Sequence, residues 1–126
     1  MSAPRTLLLI RHGETAWNAE WRFTTHSDVP LSEVGLEQAG AAAAALAATG
    51  IDRVYSSPLQ RARVTAEVIA AHQPGRPAVV ADDRLAEIDA GPFEGMTEDQ
   101  LRSGPMADRN AASISVSARS SIPTFR

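Results

Sequence analysis

The sequence predicts an α/β fold, three-layer α/β/α with a mostly parallel sheet, and three observations carry that reading. An uninterrupted apolar run, Leu7-Leu8-Leu9-Ile10, stands near the start of the chain. Two helical stretches follow, each trailed by a short apolar segment, Ile51 to Ser56 and Ala78 to Ala81. Strand, helix, strand, helix, strand is the alternation that a parallel sheet with helices packed on it requires. A length of 126 residues fits one domain or part of one.

The elements can be justified in order. Leu7 to Ile10 is apolar on both faces, which predicts a fully buried central strand, and it stops at Arg11-His12-Gly13. A charged pair at the carboxyl end of a strand is where an open α/β sheet places its site. Ala16 to Pro30 lacks a clear period and reads as a long loop with one helical turn near Trp17 to Trp21. Ser32 supplies a capping hydroxyl and Glu33 favours an amino end, so the alanine-rich stretch behind them is a helix that stops at Gly50. Ile51 to Ser56 is the second strand. Pro58 permits a helix start, and Arg61 to His72 continues it, with Val64, Val68 and Ile69 toward a core, until Gln73-Pro74-Gly75 ends it. Ala78 to Ala81 is the third strand. Leu85 to Gly95 reads as a structured loop carrying acidic residues, and Thr97 caps a short helix to Arg102. Residues 103–126 hold six serines, three arginines and one acidic residue, so 1–102 is read as the N-terminal part of a domain and 103–126 as an atypical Ser/Ala/Arg-rich tail on which no structure is forced. Within the tail only Ser113 to Ser117 alternates, too little to assign a strand.

Composition excludes several classes. Twelve basic residues, all arginine, against fifteen acidic ones give a net charge of −3, no electrostatic basis for nucleic acid as main partner. The absence of cysteine removes thiolate nucleophiles and cysteine-ligated zinc, and suits a reducing compartment. Met1 to Thr6 has no signal-peptide pattern, and the longest nearly apolar stretch, Ala39 to Ala48, is about half of a bilayer span. A soluble cytoplasmic protein without membrane attachment is expected.

Arg11-His12-Gly13-Glu14-Thr15 is the most informative segment. A histidine beside an arginine at a strand end can attack a phosphoryl group through a ring nitrogen while the arginine neutralises non-bridging oxygens. Gly13 lets the backbone approach closely. Phosphoryl transfer asks mainly for positioning and positive charge, which two fixed arginines supply without a metal or cofactor. An isolated Arg-His pair is also what a solvated strand end looks like, so the remaining blocks decide.

Leu7 to Asn18 (LLLIRHGETAWN), Asp28 to Gly40 (DVPLSEVGLEQAG), Tyr55 to Ala66 (YSSPLQRARVTA) and Leu85 to Gly95 (LAEIDAGPFEG) stand in the order found in the histidine phosphatase superfamily, which the chain resembles. The resemblance implies that His12 is the nucleophile that becomes a phosphohistidine, with Arg11 as the neighbouring phosphate clamp. Asn18 is implied to contact the phosphoryl group, and Arg61 is the second phosphate-binding arginine, on a helix amino end that itself favours an anion. Glu87 is the implied acid that protonates the leaving oxygen and then activates water, work that requires a raised pKa. Asp82, Asp83, Asp89, Glu94, Glu98 and Asp99 read mostly as surface charge. Thr24 lies where related mutases have a substrate-facing hydroxyl, and Thr25 is bulkier than the glycine common at its position. Trp17, Trp21 and Phe23 line or brace the pocket mouth, or simply pack.

The resemblance also predicts departures. The family's second catalytic histidine follows a late strand, and neither His26 nor His72 stands in such a place. His26 reads as a pocket-edge or surface residue. The sequence therefore reads as truncated after the first half of such a domain, with the sheet incomplete at its carboxyl-terminal end. An open sheet edge predicts self-association. The implied activity is phosphomonoester hydrolysis on a small phosphorylated metabolite. Phosphoglycerate mutase chemistry is the alternative, disfavoured because Ala90 stands where related mutases have a tyrosine and the chain has no lysine. A non-catalytic fragment with weak phosphate binding and a protein-interaction module are the readings outside that chemistry.

Overall fold

The computed structural model describes residues 4–103. The first ordered turn is helix α1, Ala16–Ala19, closed by a reciprocal cap in which Asn18 N–H donates to the Thr15 hydroxyl at 3.1 Å and Thr15 N–H donates to Asn18 Oδ1 at 3.0 Å. Helix α2, Glu33–Leu46, begins as the sequence predicts: the Ser32 hydroxyl accepts from Gly35 N–H at 3.1 Å, and Glu33 occupies the first turn. Strand β1 is Val54–Ser56, helix α3 is Gln60–Ala71, and strand β2 is Val79–Ala81. β1 and β2 pair in parallel, Tyr55 opposite Val80, so β1, α3 and β2 form one βαβ unit. Helix α4, Glu98–Ser103, starts at Thr97, whose hydroxyl accepts from Gln100 N–H while its own N–H donates to the Gln100 side chain.

The core lies between α2 and α3. Ala39 and Ala43 of α2 meet a face of α3 that buries Ala66, Ile69 and Ala70, and α3 in turn rests on both strands. Small alanines let the helix axes approach closely, and the cost is a thin core that buries few large side chains. Gln73 is the polar pin of this layer. Only 2% exposed, it donates from Nε2 to the Leu46 carbonyl at 2.8 Å and accepts from Ile51 N–H at 2.9 Å, tying the end of α2, the entry to β1 and the end of α3 together.

Two expectations need correction. Leu7 to Ile10 is not a buried central strand: among the described residues it has no ladder partner, and Leu7 and Leu9 are 80% and 87% exposed. Its apolar pattern records what such a strand needs, but neighbouring strands and covering helices supply the pairing and burial, and the described residues supply neither here. On α3, Ile69 is buried as expected, whereas Val64 and Val68 are only half-buried; the helix turns Arg61 and Thr65 inward instead. The tail from 104 and its Ser113–Ser117 alternation lie outside the described residues. No helix among the described residues is long and apolar enough to cross a membrane.

Candidate active site

The loop that follows Leu7–Ile10 crosses the amino end of α2 at very close range. A Cβ on Gly13 would stand 2.3 Å from the Gly35 carbonyl oxygen, and one on Gly35 would stand 2.0 Å from the Glu14 carbonyl oxygen. Both glycines are therefore demanded by backbone against backbone. The close approach expected at Gly13 is real, but its partner is helix α2. The crossing is pinned by Ser32 N–H donating to the Glu14 carbonyl at 2.8 Å and by Glu14 N–H donating to Gln38 Oε1 at 2.9 Å. Gly13 N–H donates to the Thr65 hydroxyl at 3.2 Å, and that hydroxyl donates to the Arg61 carbonyl at 2.8 Å, so α3 grips the same loop.

His12 is thereby held part-buried, its Nδ1 2.6 Å from the Gly13 carbonyl oxygen. A carbonyl can only accept, so Nδ1 carries the proton and Nε2 keeps its lone pair. Burial lowers the imidazole pKa below 6.5. The Gly13 carbonyl opposes this, the Arg61 and Arg11 charges reinforce it, and Glu87 pulls weakly upward. The ring is therefore neutral at pH 7. Arg61, Arg11 and Glu87 thus lie near enough to His12 for their charges to act on its ring. Arg11 and Glu87 are exposed.

Arg61 is 3% exposed, and its guanidinium is committed on one side: Nη1 donates to the Ser27 carbonyl at 2.7 Å and Nη2 to the Thr25 carbonyl at 2.6 Å. The first N–H of α3, on Gln60, is taken by the Asp28 carboxylate at 2.7 Å. The anion expected at that helix end is thus partly supplied by the protein. Asn18 Oδ1 is used in the α1 cap, and the Thr24 hydroxyl donates to the Arg22 carbonyl at 3.2 Å, so both side chains have local structural work. Trp17 braces rather than lines: its ring lies where a Cβ on Gly95, a residue at φ 78°, would approach within 3.0 Å. Phe23 joins the same seam through its backbone, and Trp21 is 76% exposed.

Sequence reasoning passed over Glu94 as surface charge. Its carboxylate accepts from Thr25 N–H at 2.8 and 3.0 Å, from Ser27 N–H at 3.2 Å, and from the Thr25 hydroxyl. Burial alone would raise this carboxyl, but the hydrogen bonds from Thr25 and Ser27 outweigh it and hold the pKa at about 2. The only signal in the sequence was a second acidic residue, in Phe93-Glu94-Gly95, behind the one that matched the catalytic acid. His26 is exposed, with Nε2 2.6 Å from the Glu87 carbonyl oxygen, and it steadies the loop of that acid. His72 ends α3, its Nδ1 on the Val68 carbonyl, at the opposite end of the helix from Arg61.

A part-buried histidine within reach of the charges of two arginines and a glutamate is the kind of residue set that phosphoryl transfer uses. The sequence pattern of the histidine phosphatase superfamily (branch 1) matches residues 7–118, and the chain belongs to that family. A probable phosphoglycerate mutase GpmB of Proteus mirabilis (strain HI4320) is 44% identical over 86 residues, covering 68% of this chain and 39% of the mutase. Among solved structures, mycobacterial glucosyl-3-phosphoglycerate phosphatase Rv2419c with VO3 superposes with a TM-score of 0.70 at 34% identity, over 79% of this chain and 49% of that one. Phosphoserine phosphatase from Entamoeba histolytica in complex with 3-phosphoglyceric acid gives 0.67 at 34%, over 78% and 47%. The chain thus spans less than half the length of each of these relatives. Both phosphatases and mutases of the family are enzymes, and the solved relatives share its α/β fold.

Proposed function

We propose that this chain carries the phosphoryl-accepting part of a cytoplasmic phosphomonoester hydrolase that works through a phosphohistidine on His12. The observation that carries the reading is the hydrogen bond from His12 Nδ1 to the Gly13 carbonyl, which fixes the tautomer and leaves Nε2 as nucleophile. Nε2 attacks phosphorus as the ester P–O bond breaks, and the Glu87 carboxyl gives its proton to the departing oxygen. Arg11 and the unused side of the Arg61 guanidinium neutralise the non-bridging oxygens. Glu87, now a carboxylate, takes a proton from water as that water displaces the histidine nitrogen and releases phosphate. Asn18 donates from the amide nitrogen that the α1 cap does not use, and the Thr24 hydroxyl turns from the Arg22 carbonyl to a substrate oxygen.

Water as final acceptor is supported by Ala90, which offers only a methyl group where a returning phosphoglycerate would need a polar partner, and by the absence of lysine. The substrate class is a small anionic phosphomonoester, the class named in the relatives' phosphoserine, phosphoglycerate and glucosyl-phosphoglycerate. The absence of cysteine supports the cytoplasmic setting.

The test is hydrolysis of an aryl phosphate by the 126-residue chain without added metal, beside His12→Ala and Glu87→Gln. Turnover is expected to vanish in His12→Ala and to fall by about 10²- to 10⁴-fold in Glu87→Gln. Equal turnover in the parent and His12→Ala overturns the reading.

A further inference from the structure

We propose that Glu94 is a positioning residue for the site: by holding the Thr25–Ser27 loop, its carboxylate sets the Arg61 guanidinium beside His12. The inference rests on the phosphohistidine reading for its purpose but on separate contacts for its content. Each link is a hydrogen bond. Glu94 accepts from the N–H groups of Thr25 and Ser27, and the carbonyls of those same two residues accept from Arg61 Nη2 and Nη1 at 2.6 and 2.7 Å. Anion and cation thus grip opposite sides of the same stretch of backbone, and neither touches the other.

The arrangement solves a problem that α3 creates. Arg61 emerges from the first turn of the helix and is 3% exposed, so its long side chain needs acceptors that do not neutralise it. A carboxylate in direct contact would cancel the charge that a phosphoryl group must meet. Two carbonyls orient the guanidinium and leave its full charge and its remaining N–H groups available. Carbonyls in a loop are only as fixed as the loop, and Glu94 fixes it with charge-assisted bonds. The clamp reaches the acid's segment as well. The Thr25 hydroxyl donates to Glu94 and accepts from Ala90 N–H at 3.0 Å, so the Glu87–Ala90 stretch is tied to the same junction. Thr25, unlike a glycine, supplies the hydroxyl that this junction uses.

The experiment is a double-mutant cycle on the full chain with Glu94→Ala, Arg61→Ala and both, reading the dissociation constant of inorganic phosphate and, where Arg61 is present, the 15N relaxation of its Nε–H. Glu94→Ala is expected to weaken phosphate binding by about tenfold in the parent and by less than about twofold in Arg61→Ala, because the effect passes through that guanidinium. The Arg61 Nε–H signal is expected to change from ordered to mobile. Equal weakening in both backgrounds, or an Arg61 signal that stays ordered, overturns the proposal. If Glu94→Ala does not fold, Glu94→Gln carries the same cycle, since it keeps the side-chain shape while presenting an amide NH2 to the Thr25 and Ser27 donors. A parent that binds no phosphate counts against the phosphohistidine reading alone, and the Arg61 relaxation still decides the role of Glu94.

Discussion

At the scale of single residues, the site depends on places where no alternative side chain fits. Gly13→Ala puts a methyl group 2.3 Å from a backbone oxygen of α2, which cannot swing away as a side chain would. The expected result is a loss of about 3 kcal/mol or more in urea unfolding; an unchanged midpoint would mean that the crossing of Gly13 and Gly35 is not tight. The two titrating groups of the site act in the same direction with pH. The folded chain holds the His12 pKa below the 6.5 of the unfolded chain, so stability declines as pH falls from that value through the lower, folded one. Glu94 is held at about 2 against an ordinary 4.5, so its contribution is full above 4.5 and is lost as pH falls toward 2. The stability gap between parent and Glu94→Gln, about 1–2 kcal/mol once solvent access is allowed for, narrows over that lower range. Urea midpoints at stepped pH check this, and a constant gap would contradict it. The sequence marks Arg11, His12, Arg61 and Glu87 as candidates through their residue types and block order. The contacts of Glu94 leave no such mark, because its partners Thr25 and Ser27 lie far away in the chain.

At the scale of elements, helices were easier to read than strands for a local reason. The signals that start α2 and α4, Ser32 with Glu33 and Thr97 with Gln100, lie within a few residues of each other, and the structure uses both pairs where the sequence has them. The run Leu7–Ile10 signals burial equally clearly, but a strand needs partners that its own residues cannot provide. The inward face of α3 departs from the apolar pattern at Val64 and Val68: Arg61 and Thr65 take the buried positions, where both are hydrogen-bonded. Gln73 shows the same lesson in the core. Gln73→Leu leaves the part-buried Leu46 carbonyl and Ile51 N–H without their partner, and a loss of about 1–3 kcal/mol is expected in urea unfolding. A change below about 0.5 kcal/mol would show that the pin between α2, β1 and α3 is dispensable.

At the scale of the whole molecule, the described residues leave Leu7, Leu9 and Ile88 at 80% or more exposure, and their sheet has two strands. Such an apolar surface favours association. Sedimentation of the 126-residue chain is expected to show mass rising with concentration, and Leu9→Arg is expected to reduce it; a monomer at all concentrations would contradict this. The family and the order of its four blocks were legible in the sequence, whereas the exposure of Leu7 and Leu9 emerges only from the packing of the described residues. The central claim, that His12 Nε2 receives the phosphoryl group, is tested most directly by quenching the chain with an aryl phosphate in alkali and locating the phosphate by 31P NMR and peptide mapping. The account predicts an acid-labile phosphoryl group on His12 at Nε2, absent in His12→Ala. A phosphoryl group on Nδ1 or on another residue, or turnover with no phosphorylated protein at any time point, would contradict it.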